Sequence, residues 1–287
     1  MSWILPDLLM FGCSVVLYIT IRWATRRGLP VDMQNLANFT VPLPIFLGAA
    51  LLAHARLAVT AHQLLVLLAG GVILGFLVNI ASLQSIKIAP NPGYSLLISK
   101  SYVILTAPLA VPLLGAHLTV PALGAIIATV AFSALICLDK NRRQEFTTPA
   151  WLPLAFAAMV GWATLSLLAK YLFAHGVSTL AFLTYFWLFA AIAAVADTAL
   201  NHEKRQQFLR FKYPMLVIGF GAAIFNICNF TAIRLAPNVG YVNATNAASI
   251  GAITVFAIIL FKDEFSLRKL IGIAGAIASL VALFIFG

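Results

Sequence analysis

The sequence predicts an all-α integral membrane protein, with ten transmembrane helices arranged as two inverted five-helix repeats. Composition excludes the aqueous classes. Of 287 residues, 62% are hydrophobic and only 9% charged, and the mean hydropathy is +1.02. One soluble core cannot hide that much apolar surface. The apolar runs are about twenty residues long and unbroken, the length of a helical span. A β-barrel would instead alternate apolar and polar residues in shorter segments.

The third observation is a repeat. Asn79 to Tyr94 reads N-I-A-S-L-Q-S-I-K-I-A-P-N-P-G-Y, and Asn226 to Tyr241 reads N-I-C-N-F-T-A-I-R-L-A-P-N-V-G-Y. The two align without a gap at an offset of 147 residues. A self-similar period of this kind marks one structural unit used twice. With a shift of one or two residues, Gly12 falls near Gly161, and Arg27-Gly28 meets His175-Gly176. Residues 1–138 are therefore expected to form the first five-helix repeat, 139–149 a connecting loop, and 150–287 the second repeat.

The expected spans run roughly over 3–22, 35–53, 63–86, 93–115, 119–138, 150–174, 178–199, 213–234, 239–261 and 267–286. The longest polar connections are Arg22 to Gln34, Asp139 to Thr148 and Asn201 to Lys212. Five spans per half send the second half into the bilayer from the opposite side. The halves are then related by a pseudo-two-fold axis in the membrane plane. Pro42 and Pro44 in span 2, and Pro108 and Pro112 in span 4, remove backbone donors and are expected to bend those helices. Gly71 and Gly75 share a spacing that permits close helix contact.

The formal charge of +10 does not imply nucleic acid, because the basic residues lie between spans. Fourteen Lys and Arg follow spans 1, 3, 5, 7 and 9, against three on the other side. That bias predicts cytoplasmic odd loops and both termini outside a cell (inner) membrane. The start M-S-W-I-L-P-D has no basic region before its apolar run, which reads as a retained first helix. Cys13, Cys137 and Cys228 are isolated in apolar segments, so no metal site or redox pair is expected. No glycine-rich nucleotide motif and no catalytic set is visible, so no cofactor is expected.

The repeated A-P-N-x-G-Y segment places Pro90, Asn91, Gly93 and Tyr94 opposite Pro237, Asn238, Gly240 and Tyr241. Pro ends a helix, Asn tolerates turn geometry and Gly supplies backbone freedom. The segment reads either as a tight reversal between antiparallel spans or as a pair of gates, with the tyrosines at opposite mouths. Lys100 is the one strong base well inside an apolar run. Such a residue usually faces a bundle interior or water. It reads as a fixed charge for an anionic or zwitterionic ligand, as a proton-exchanging group, or as a side chain snorkelling to an interface.

Asn79 with Ser82, and Asn226 with Asn229, are matching polar pairs on one helix face. Ser99 and Tyr102 in span 4, Trp162 in span 6, and Asn243 and Asn246 in span 9 complete a set that predicts a polar cavity. Its expected walls are spans 1, 3, 4, 6, 8 and 9. Each of these groups is also a candidate for interhelical hydrogen bonding alone. No carboxylate is expected in mid-membrane, with Asp7 and Asp197 read as interfacial.

Residues 89–119 and 236–275, from each A-P-N-x-G-Y through the following turn, resemble the EamA-like branch of the drug/metabolite transporter superfamily. The resemblance covers essentially the whole chain. Glu264 sits where the family's acidic turn is usual, and His117 replaces it in the first half. The resemblance implies alternating-access transport of a small metabolite through a cavity between the halves. Family members often have cytoplasmic termini, whereas the charge bias here points the other way. Lys100 tilts the expected cargo toward an amino acid or organic anion, in an exporter or exchanger. The expected partners are a small-molecule substrate and the lipid bilayer, with the protein acting as a monomer or homodimer. The alternatives are a flippase for a lipid or lipid-linked sugar and, less favoured, an intramembrane enzyme.

Overall fold

The structure, a computed structural model, describes residues 2–89, 92–137, 149–262 and 266–287. Among these residues the fold is all helical, and ten helices are long and apolar enough to span a membrane. Spans 1 to 5 are Ile4–Arg26, Val31–Leu52, Ala61–Ile88, Gly93–Leu114 and Val120–Cys137. Spans 6 to 10 are Trp151–Ala174, Thr179–Ala199, Arg210–Leu235, Val239–Phe261 and Leu267–Phe286. Pro90, Asn91, Glu264 and nearly all of the expected loop 139–149 lie outside the described residues.

Two expected connections are shorter than the sequence indicates. Span 1 continues as helix to Arg26 and span 2 begins at Val31, so only four residues turn the chain. Gly28 makes that turn possible with φ +86°, and its repeat counterpart Gly176 has the same value. This left-handed conformation is cheap only for glycine. The polar stretch after Asn201 is also helical. Asn201 Oδ1 accepts from the amides of Glu203 and Lys204, and the helix runs unbroken from His202 to Leu235. Capping and the continuing backbone ladder outweigh the polar composition that read as a loop.

Three spans carry internal irregularities. Span 2 breaks at Val41, with Pro42 opening its second segment, the position where a missing amide hydrogen costs least. Span 3 contains a π-helical segment, Gly71–Leu77. There Gly71 and Gly75 press against Phe186 and Ala190 of span 7, the close contact their spacing anticipates. Span 4 breaks at Ser101 and Tyr102, between the helices Pro92–Lys100 and Val103–Leu114. Ser99 and Ser101 hydroxyls donate back to the carbonyls of Leu96 and Leu97. Such back-bonding competes with the helix ladder. The break therefore falls beside Lys100, while Pro108 and Pro112 lie within the second helix.

The two ends of the bundle differ. Both termini share one end. There Trp3 packs on Tyr241 and Phe284, and Thr119 Oγ1 donates to the Phe286 carbonyl. Ser178 Oγ there donates to the Arg56 carbonyl. The opposite end carries most of the described Lys and Arg. Arg22 and Arg26 lie over the Phe261 ring. Lys204 bridges Asp197 at 2.6 Å and Asp32 at 3.5 Å, tying span 2 to the start of the long helix. Partial burial opposes the Lys204 charge. The Asp197 hydrogen bond and the two carboxylates outweigh it and raise its pKa above the ordinary lysine value.

At the terminal end, Lys170 of span 6 donates to the carbonyls of Ile233, Arg234 and Ala236 at 2.9, 2.9 and 2.6 Å. One ammonium thus satisfies the last orphan carbonyls of span 8 and meets the negative end of its dipole. Lys170→Ala should cost about 1.5–3 kcal/mol, the usual worth of a hydrogen bond to a charged group. Thermal unfolding in detergent should show a lower midpoint than wild type, and an unchanged midpoint would contradict the assigned clasp.

Candidate functional site

The spans enclose a central cavity of about 170 Å³. Asn79 and Ser82 of span 3, and Ser99, Lys100 and Tyr102 of span 4, form one wall. Trp162 of span 6, Asn226 and Asn229 of span 8, and Asn246 of span 9 form another. Asn243 is the only one of the ten expected binding residues outside this lining. It is buried below the cavity, where its Nδ2 donates to Thr106 Oγ1 at 3.0 Å. Ser166 Oγ in turn donates to Asn243 Oδ1 at 3.5 Å. Asn243 therefore joins spans 4, 6 and 9 and does not face the space.

Spans 2 and 7 also line the cavity, through Asn38, Phe39, Phe186 and Trp187. The sequence reading missed them, along with Tyr18 and Ser166. Asn38 lies in the polar stretch Q-N-L-A-N of span 2, which was the available signal. Nothing local distinguished Trp187, whose Nε1 donates to the Asn38 carbonyl at 2.9 Å. The wall's shape depends on Gly161, because a Cβ there would collide with Val78 of span 3.

Lys100 is 5% exposed and is bound by the protein. Its ammonium donates to the Asn246 carbonyl at 3.0 Å, to Asn246 Oδ1 at 3.0 Å and to Ser249 Oγ at 3.2 Å. The Tyr18 ring lies 4.5 Å from Nζ, a cation–π contact. Asn246 Nδ2 donates to the Tyr102 hydroxyl, and Ser14 Oγ donates to Asn246 Oδ1. One charge thereby draws spans 1, 4 and 9 together, and all three ammonium hydrogens have acceptors. Snorkelling to an interface does not describe it.

The other polar groups differ in how far they are satisfied. Asn79 Nδ2 donates to Asn35 Oδ1 at 2.6 Å. Asn226 Nδ2 donates to the Ala222 carbonyl of its own helix. Asn229 Oδ1 is buried without a hydrogen-bond partner, an unsatisfied acceptor on a residue of the cavity wall. The cavity therefore offers a cation on one wall, a free carbonyl-type acceptor on another, and tryptophan and tyrosine faces between them.

The two copies of the repeated segment occupy different environments. Gly240, Tyr241, Asn243, Ala244 and Thr245 are all buried, while Gly93, Tyr94, Leu96, Leu97 and Ile98 are only partly covered. Asn238 is fully buried. Its Oδ1 caps span 9 at Gly240, and its Nδ2 donates to the carbonyls of Ala107 and His117. The Tyr241 hydroxyl donates to the same His117 carbonyl at 3.2 Å. Gly240 sits so close to Ala107 that a Cβ would collide with its backbone. Pro237 is exposed at the turn. The terminal end is thus sealed by the second copy, while the cavity wall reaches Ile21 and Ile86 near the opposite, basic end.

Asp7, expected near an interface, lies at the start of span 1 and is fully buried within the bundle beside Thr245 of span 9. Cys13, Cys137 and Cys228 are all free.

Removing the Lys100 acceptor should hurt more than removing Lys100. Asn246→Leu leaves a buried ammonium short of partners, at about 1.5–3 kcal/mol, whereas Lys100→Met leaves mainly neutral groups. In a thermal-unfolding cycle, adding Lys100→Met to Asn246→Leu should recover part of the lost midpoint. Simple additivity would contradict the bridge.

Comparison with known proteins agrees with this architecture. A solved crystal structure of a protein is similar over 98% of this chain and 99% of its own. The TM-score is 0.77 at 16% identity, which shows the shared fold alone. No curated protein matches the sequence significantly. The model of the EamA-like transporter family matches residues 149–285. The second half of the chain is thus similar to the EamA-like transporter family of the drug/metabolite transporter superfamily, and the ten apolar spans agree with that likeness.

Proposed function

We propose that the protein is a secondary active carrier of a small anionic or zwitterionic metabolite, an amino acid or organic anion, working by alternating access between two inverted repeats. The observation that carries this reading is the pairing, in one central cavity, of Lys100 with the unpartnered Asn229 Oδ1. A carboxylate suits the ammonium, and a substrate N–H suits the amide oxygen. The unequal burial of the two repeat copies supports alternation. An in-plane two-fold exchanges the roles of the copies, so a state closed at Tyr241 has a counterpart closed at Tyr94.

Lys100 also offers a way to link binding to motion. A carboxylate that draws the ammonium away from Asn246 and Ser249 removes the bridge between spans 4 and 9. The substrate then stabilises the state in which span 9 is released, the differential affinity that any ligand-driven shift requires. On the charge bias, the basic end faces the cytoplasm and both termini lie outside. The direction of net flux in this reading is export or exchange.

A thermal-shift screen of purified protein against soluble metabolites, run beside Lys100→Ala, tests the assignment. One anionic or zwitterionic class should raise the wild-type midpoint, and the variant should lose that response. Equal stabilisation of both proteins would contradict the role given to Lys100. A response to lipids alone would favour a flippase instead.

A further inference from the structure

A second buried charge-bearing group lies in the same seam and has no part in the cavity. Asp7, in the first turn of span 1, is fully buried against Thr245 of span 9. Its Oδ2 lies 2.6 Å from Thr245 Oγ1, and its Oδ1 has no hydrogen-bond partner. The ion pairs of Lys204, with Asp32 and Asp197, lie elsewhere and do not involve it. A carboxylate ion in this setting would carry a buried negative charge with one oxygen wholly unsatisfied, an arrangement proteins avoid.

The hydrogen bonds resolve the difficulty. Thr245 has one hydroxyl hydrogen and two oxygen neighbours, Asp7 Oδ2 at 2.6 Å and the Tyr241 carbonyl at 3.2 Å. One hydrogen cannot serve both. When it goes to the carbonyl one turn back, the ordinary helical arrangement for threonine, the short contact to Asp7 takes its hydrogen from the carboxyl group. With Asp7 protonated, Oδ2–H donates to Thr245, Thr245 donates to Tyr241, and Oδ1 is an uncharged carbonyl oxygen.

We propose that Asp7 is a proton-binding site, occupied while the terminal end is closed and emptied when span 9 parts from span 1. Binding adds one proton to Oδ2 and cancels one negative charge. Release returns the proton to water at the terminal face and leaves a carboxylate that hydration stabilises in the open seam. The coupling half of this proposal rests on the alternating-access reading, and the protonation half does not.

The titratable groups around Asp7 are few. Span 9 brings Tyr241, span 4 brings Tyr102 and Lys100, and span 1 itself brings Tyr18. Lys100 is already held by Asn246 and Ser249. Span 8 presents Cys228 toward Cys13, and its Arg234 is exposed. Span 10 offers Arg268 and Lys269 at the basic end, and the residue after it, Gly287, brings its α-carboxylate to the terminal end beside the Tyr241 ring. The other described side-chain carboxylates are Asp32, Asp197 and Glu203, all reaching solvent at the basic end.

Infrared spectroscopy of the purified full chain reads protonation directly. At neutral pH the wild type should show the carbonyl stretch of a protonated carboxylic acid, shifted on exchange into D2O and absent from Asp7→Asn. Thr245→Val should keep the band but move it to higher frequency, because its hydrogen-bond acceptor is gone. A wild type without the band, or a band unaffected by both substitutions, overturns the site. Coupling is tested by pulsed electron paramagnetic resonance between spin labels on Val120 and Leu235, exposed residues at the terminal end. Alkaline pH should add a longer distance in wild type and leave Asp7→Asn, a permanently neutral isostere, unchanged. If both proteins respond alike, or neither does, the proton does not control the opening.

Discussion

A single ammonium inside an apolar bundle constrains much of this molecule. Lys100 cannot be left to hydrocarbon, so the protein must supply its hydration shell. It does so from span 9, through Asn246 and Ser249, with Ser14 of span 1 and Tyr102 of span 4 completing the network. The break in span 4 lies immediately after Lys100. The π segment of span 3 and the Gly161–Val78 contact set the opposite walls. Irregular backbone at membrane depth is tolerated where it borders a polar cavity, and that is where it occurs here.

The terminal end shows how such a seal is built. Asn238 uses its amide three times, to cap span 9 and to hold two carbonyls, of Ala107 in span 4 and of His117 in the turn after it. Tyr241 and Trp3 cover it, and Lys170 clasps the adjacent span 8. The polar contacts are worth modest energies one at a time, and Trp3, Val239, Tyr241 and Leu283 add a buried apolar layer to them.

The fold was legible because its signals are compositional and periodic. Apolar runs of span length and a repeat carrying Pro, Asn and Gly need no tertiary information. Lys100, Asn79, Ser82 and the asparagines of span 8 were found because a polar residue in an apolar run stands out. Asn243 stands out equally but faces Thr106 and Ser166, and no sequence pattern separates a cavity wall from an interhelical bond. Trp187 and Phe186 were invisible because aromatic residues are ordinary in a membrane helix. Asp7 was read from its place near a span end, and its burial against Thr245 of span 9 is a matter of packing that the sequence does not show.

Access to the cavity tests the account most directly. Ser82→Cys, in protein lacking the native cysteines, should react with a membrane-impermeant thiol reagent applied from the face bearing Lys87 and Lys212. It should be protected from the face bearing the termini. Adding Lys100→Met should open it to both faces, because the bridge to span 9 is gone. Equal labelling of the original protein from both faces, or protection unchanged by Lys100→Met, would contradict the claim that Lys100 holds the terminal end closed over a central binding site.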